Sequence, residues 1–160
     1  MKIYEDIIHI LQLKEKSVAT MESCTGGSIA SEITNHNGAS EILKFSAVTY
    51  SNEYKIKMGV NPSVIDKYSV YSIETAEEMS KNISKFANSD FGIGITGKLN
   101  NPDPKNPSGE DDKVFICIYD KGTDTFYKYD IKANKTKTRK ENKEIIIEFI
   151  GEKLFDIISE

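Results

Sequence analysis

Ile3, Ile7, Ile8 and Leu11 recur three and four residues apart, which places them on one face of an opening amphipathic helix. That spacing is then lost. Ser17 to Glu22 predicts a short strand, and Ser23-Cys24-Thr25-Gly26-Gly27 follows it as a turn. The helical period returns from Ser28, with Ile29, Ala30 and Ile33 on one face. Asn37-Gly38 is placed to stop this helix, because both residues tolerate the left-handed conformation. Ser40 can cap a short helix through Leu43, and Phe45 to Tyr50 predicts a second strand that Ser51-Asn52 ends. Gly59, Pro62 and Ser63 punctuate the stretch beyond.

Ser72 fits a helix N-cap with Glu74 in the first turn, opening a stripe of Ala76, Met79, Ile83, Phe86 and Ala87. Phe91 to Thr96 predicts a third strand, light in side-chain bulk at Gly92 and Gly94. A polar segment from Gly97 to Asp112 holds three of the four prolines. It is long for a structureless connection, so it is either functional or mobile. Val114 to Tyr119 and Thr125 to Ile131 flank Lys121-Gly122 as a β-hairpin, and an apolar helix closes the chain from about Lys140 to Ile158. There is no internal repeat and no linker. Interleaved strands and helices with a late hairpin predict one compact α/β domain over residues 1–160, a mixed β-sheet flanked by helices.

Composition narrows the function classes. Against 25 acidic side chains stand 21 basic ones, a net charge of −4, so nothing draws the chain as a whole to nucleic acid. Met1 to Lys14 mixes charged with apolar residues and is no signal peptide, and no stretch could span a bilayer. No membrane association and a cytoplasmic location are therefore expected. Cys24 and Cys117 are then free thiols, and two His with two scattered Cys make no zinc site.

Four constellations could carry chemistry. Glu22-Ser23-Cys24-Thr25-Gly26-Gly27 lies where a strand becomes a helix. Such a turn can expose a nucleophile and aim backbone N–H groups at a developing anion or a phosphate. Hydroxyls as mere helix caps are its plainer meaning. Tyr50-Ser51-Asn52-Glu53-Tyr54-Lys55 offers a lysine that could act as a base if burial brought its pKa from 10.4 to near 7, a change worth roughly 4–5 kcal/mol. A solvated lysine is the plainer reading. Gly92-Ile93-Gly94-Ile95-Thr96-Gly97 fits neither a Walker A nor a dinucleotide fingerprint, and small residues in a central strand also serve packing. The basic run from Lys132 to Lys143 could reach a phosphate through Arg139, or simply be solvated. Cys24, with no His partner in view, ranks below Ser23 as a nucleophile.

Taken in order, these segments resemble one family. Glu22-Ser23-Cys24-Thr25-Gly26-Gly27 matches the ESCTGG signature of the CinA C-terminal domain family. Asn37-Gly38-Ala39-Ser40 resembles its GAS turn. Thr49 to Lys55 followed by Met58-Gly59-Val60 resembles its TYSNEAK…LGV stretch. Ser69-Val70-Tyr71-Ser72 stands where relatives have GAVS, Gly94 to Gly97 matches the start of their TGIAGP loop, and Arg139 falls on the second arginine of a GDRxxxR pattern. The resemblance covers nearly the whole chain.

It implies an amidohydrolase that converts nicotinamide mononucleotide to nicotinate mononucleotide and ammonia. By position, Ser23 would be the nucleophile, Lys55 its base and Tyr50 a support for the pair. Thr25, Gly26, Gly27, Thr96 and Gly97 would line the substrate site, and Arg139 would meet the phosphate. No metal or other cofactor is implied. The partner is a small-molecule nucleotide substrate, and relatives associate as homodimers or higher homo-oligomers. The chain departs from the pattern after Gly97, where Lys98-Leu99-Asn100-Asn101-Pro102 replaces the glycine-rich half of the loop. Ser46-Ala47 replaces two glycines, and Lys135 replaces the first arginine. Two alternatives stay open: a nucleotide- or protein-binding module without turnover, and an amidase for another small carboxamide.

Overall fold

The computed structural model describes residues 1–160. Five strands form one mixed sheet: β1 (Val18–Glu22), β2 (Leu43–Val48), β3 (Phe91–Gly97), β4 (Lys113–Asp120) and β5 (Thr125–Lys132), in the order β2-β1-β3-β4-β5. The first three run parallel, and β4 and β5 are antiparallel. Seven helices cover it: α1 (Lys2–Leu13), α2 (Ser28–Thr34), α3 (Ala39–Ile42), α4 (Asn52–Lys57), α5 (Pro62–Tyr68), α6 (Ile73–Ala87) and α7 (Arg139–Ile158).

Every residue of β1 and β3 is buried, as expected of central strands covered on both faces. One face packs Val18, Ile93, Ile95, Val114, Ile116 and Ile118 against apolar residues of α1, α2, α3 and α7. The other packs Ala19 and Met21 against Met79 and Ile83 of α6 and against Val60. Here the small residues of β3 find their cause. A Cβ on Gly92 would lie 2.0 Å from the Ser80 carbonyl oxygen, and one on Gly94 2.4 Å from that of Ala76. Glycine lets the α6 backbone lie directly on the strand, the packing reading rather than the phosphate-loop one.

Several predicted boundaries move. The second strand begins at Leu43 and ends at Val48, two residues earlier than its pattern suggests. Gly38, with φ +88°, starts α3 rather than ending α2, which stops at Thr34. Helices α4 and α5 were not anticipated. Their caps, Ser51 accepting from Tyr54 N and Asn61 accepting from Ser63 N with Pro62 in the first turn, are what fold this stretch. Ser72 caps α6 as predicted, and Thr138 with Glu141 forms a capping box on α7.

The topology places the functional end. The chain leaves β1 for β2 on one side and reaches β3 on the other, so a crevice opens at the carboxyl ends of β1 and β3. Because β4 is antiparallel to β3, the connection from 98 to 112 begins and ends at this same edge.

Candidate functional site

Ser23 follows β1 directly and keeps its register, since its N–H donates to Ile95 O at 3.1 Å. The turn is sharp because Gly26 and Gly27 take φ of +62° and +95°, a region that glycine occupies without cost. The residue just before Ser23 holds the turn together. Glu22, fully buried, accepts from Thr25 Oγ1 at 2.7 Å, Ile29 N at 2.9 Å and Ala30 N at 3.0 Å. Thr20 Oγ1 lies 3.1 Å from Glu22 Oε2, the oxygen that also accepts from Ala30 N. A carboxylate reaching over the turn thus satisfies the first free N–H groups of α2. This corrects one expectation: these helix-start donors are filled by Glu22 and do not face a ligand. The N–H groups of Cys24, Thr25 and Gly27 make no internal hydrogen bond and are the donors the turn has left.

Lys55 comes from α4, which follows β2. Thr49 N donates to Glu22 O at 2.9 Å, extending the β1–β2 pairing by one step, and Thr49 O accepts from Lys55 Nζ at 2.7 Å. The same Nζ lies 3.1 Å from Ser23 Oγ. Both side chains are buried, Lys55 to 2% exposure and Ser23 to 7%. Burial brings the ammonium down from 10.5 to about 8, while Cys24 and Asp103 oppose the change. Burial also pushes the Cys24 thiol up to about 12, so at neutral pH it is uncharged and a poor nucleophile. Of these two, Asp103 is then the only anion acting on Lys55.

Ser23 and Lys55 sit on a cleft of about 600 Å³, which Tyr50, Gly97 and Arg139 also line. Other expected positions lie elsewhere. Thr25 is buried against Glu22, and Thr96 donates its hydroxyl to Val70 O at 3.0 Å, so neither faces the cleft. Gly26 and Gly27 shape the turn but do not line the cleft, facing Lys143 and Val48 respectively. Tyr50 does not support the pair directly. It is 64% exposed, and its hydroxyl accepts from Arg139 Nη2 at 3.4 Å at the cleft rim. Arg139 opens α7 and also donates to Leu99 O at 3.2 Å, with further guanidinium N–H groups to spare.

The connection from 98 to 112 forms the opposite wall. Lys98 is buried, donates to Ser108 O at 3.0 Å and lies 5.0 Å from the centre of the Tyr71 ring. Tyr71 donates its hydroxyl to Asp103, which also accepts from Asn106 Nδ2 at 3.1 Å. Asn52 of α4 reaches across to Asn106 at 3.0 Å, tying this wall to the helix that carries Lys55. The hydroxyl of Tyr71, more than any other group, holds the Asp103 carboxyl below its ordinary range. Sequence reasoning marked this segment only as functional or mobile. It is ordered by side-chain contacts from residues distant in sequence, a signal no local pattern carries. No cluster of His, Cys, Asp or Glu could hold a metal ion, and no helix is long and apolar enough to cross a membrane.

Residues 1–154 match the sequence profile described as the CinA C-terminal domain. A Clostridium beijerinckii protein described as competence-damage inducible is 41% identical over 138 residues, 86% of this chain and 33% of that protein. A CinA-like protein of Kosmotoga olearia is 31% identical over 155 residues, 96% of this chain and 37% of its own. The chain thus spans about a third of the length of these curated relatives. Among solved structures, competence/damage inducible protein CihA of Agrobacterium tumefaciens superposes with a TM-score of 0.87 at 23% identity, over 99% of this chain and 94% of that one. A competence or damage-inducible protein of Enterobacter asburiae gives 0.88 at 20% identity, over 98% and 96%. At these identities the structural likeness establishes the shared fold.

Proposed function

The chain belongs to the CinA C-terminal domain family, and on that premise we propose that it is an amidohydrolase of the nicotinamide mononucleotide deamidase kind. The observation that carries this reading is the buried Ser23–Lys55 contact of 3.1 Å at the cleft. A lysine at about 8 is neutral in roughly a tenth of molecules at pH 7, against well under a thousandth for an ordinary one. In that neutral form Lys55 keeps a donor on Thr49 O and turns its lone pair to the Ser23 hydroxyl.

The steps then balance. Ser23 Oγ attacks the carboxamide carbon as its proton passes to Lys55 Nζ, and the free N–H of Cys24, the one of the three that belongs to a cleft-lining residue, is available to the tetrahedral oxyanion. Lys55 returns the proton to the leaving nitrogen, which departs as ammonia and leaves an ester on Ser23. Water, giving its proton to Lys55, cleaves the ester to the carboxylate and restores the serine. Arg139 at the rim is the group suited to a phosphate.

Ammonia release from nicotinamide mononucleotide by wild type, Ser23→Ala and Lys55→Ala tests this. Turnover by the wild type alone is expected. Silence from folded wild type would favour the binding-module reading. A homo-oligomer belongs to the same proposal: β2 is an open sheet edge, and Phe45, Val48 and Phe86 are exposed beside it.

A further inference from the structure

Among the 18 residues that line the cleft, Lys55, Lys98, Lys105 and Arg139 are basic and Asp103 alone is acidic. Despite that company, Asp103 forms no salt bridge. Lys98, the buried cation of the same wall, pairs instead with Asp111 at 3.4 Å. Everything that touches the Asp103 carboxylate is a neutral donor: Tyr71 Oη, Asn106 Nδ2 and its own loop's Lys105 N at 3.0 Å. Those donors fix its position, and Asn52 fixes Asn106 in turn. A negative charge, held in place by neutral donors and in no salt bridge, therefore lines the same cleft as Ser23.

We propose that Asp103 is the counter-charge for a cationic ring on the substrate, so that the cleft selects N-substituted pyridinium carboxamides over otherwise identical neutral ones. The inference rests on the amidohydrolase reading for its choice of ligand. A pyridinium ring withdraws electrons from the carboxamide it bears, which makes the carbonyl carbon a better target for Ser23. A site that recognises the ring's charge thus recognises the reactive form. The interaction is present before and during the attack alike, so it acts mainly on binding. Asp103 is accordingly a specificity residue.

Calorimetric titration separates this from a structural role of Asp103. The ligands are nicotinamide mononucleotide, with a cationic ring, and its 1,4-dihydro form, whose ring is neutral while carboxamide, ribose and phosphate are unchanged. Binding is measured on Ser23→Ala, which cannot consume ligand, with and without Asp103→Asn. The expected result is at least tenfold tighter binding of the cationic ligand, a preference that Asp103→Asn brings close to one by weakening that ligand alone. Asp103→Glu, which keeps the charge, should restore most of the preference. Equal loss of both ligands in Asp103→Asn, or no preference in Ser23→Ala itself, would overturn the proposal, and the second outcome holds even if the aspartate variants do not fold. The two readings fail separately. Charge-selective binding without ammonia release would sink the hydrolase and keep Asp103 as the reader of charge, whereas turnover with no charge preference would do the reverse.

Discussion

Lys55→Met should make the protein more stable at neutral pH and less stable at high pH. In the folded state Lys55 titrates at about 8, against 10.5 for a free lysine, because burial disfavours its charge. Below the lower value the ammonium is charged in both folded and unfolded chains, and the folded state carries the full penalty of about 3 kcal/mol. Between the two values the unfolded chain holds more protons, so wild-type stability rises with pH, and above 10.5 the penalty is gone. Methionine has similar bulk and no charge, so it escapes the penalty but forfeits the bonds to Ser23 Oγ and Thr49 O, worth roughly 1 kcal/mol each. The net is a gain of ~1 kcal/mol at pH 6.5, or about 2–4 °C in Tm, turning into a loss of ~2 kcal/mol near pH 10.5. Urea unfolding of both proteins from pH 6.5 to 10.5 reads this difference directly, since groups common to the two cancel. A difference that stays flat across that range, or a variant less stable at pH 6.5, would refute the claim that burial holds Lys55 near neutrality.

Other consequences can be checked with the same proteins. The rate with limiting substrate should rise with pH through an inflection near 8 as Lys55 loses its proton, and Asp103→Asn, by removing the anion that favours the charged form, should move that inflection to lower pH. Glu22→Ala strands the N–H groups of Ile29 and Ala30 in the interior and should cost about 2–4 kcal/mol in chemical denaturation, with Ser23 displaced enough to abolish turnover. Ser69 stands at φ +82° and ψ +155°, where an L side chain is strained, so Ser69→Gly should raise stability by about 1 kcal/mol, as a thermal melt would show. Phe86→Glu, at a site 64% exposed beside Phe45 of the open edge, should reduce the mass found by light scattering to that of a monomer without altering the fold.

The sequence made the front of the site legible and left its back obscure, for a physical reason. Ser23 is positioned by local rules: a strand, two glycines with positive φ and a helix in direct succession. Its link to Lys55 was visible only through the family motif. Residue patterns alone favoured a solvated lysine, and α4, which buries it, was not predicted. Glu22 shows the same limit more sharply. It caps α2 from seven and eight residues upstream by reaching over a loop, whereas known capping signals operate within three or four. Thr25 and Thr96 went the other way. Placed in the site by their motifs, they are spent on internal hydrogen bonds.

The two walls of the cleft are built from different forces, and this bears on how such a site can vary. Ser23 and Thr49 continue the hydrogen bonding of the parallel strands, so Ser23 and the carbonyl that anchors Lys55 cannot shift without disturbing the sheet. The wall from 98 to 112 bridges two antiparallel neighbours whose register is set by β3 and β4 themselves. It is held by Tyr71–Asp103, Lys98–Ser108 and Asn52–Asn106, contacts that can be exchanged one at a time. A change in this connection should therefore alter the lining of the cleft while leaving the Ser23–Lys55 contact in place. Losing the glycine-rich loop of the family is on this view a change of ligand contacts first, since both partners of the 3.1 Å contact that would start the reaction, Ser23 and Lys55, and the Thr49 carbonyl that anchors Lys55 precede the loop.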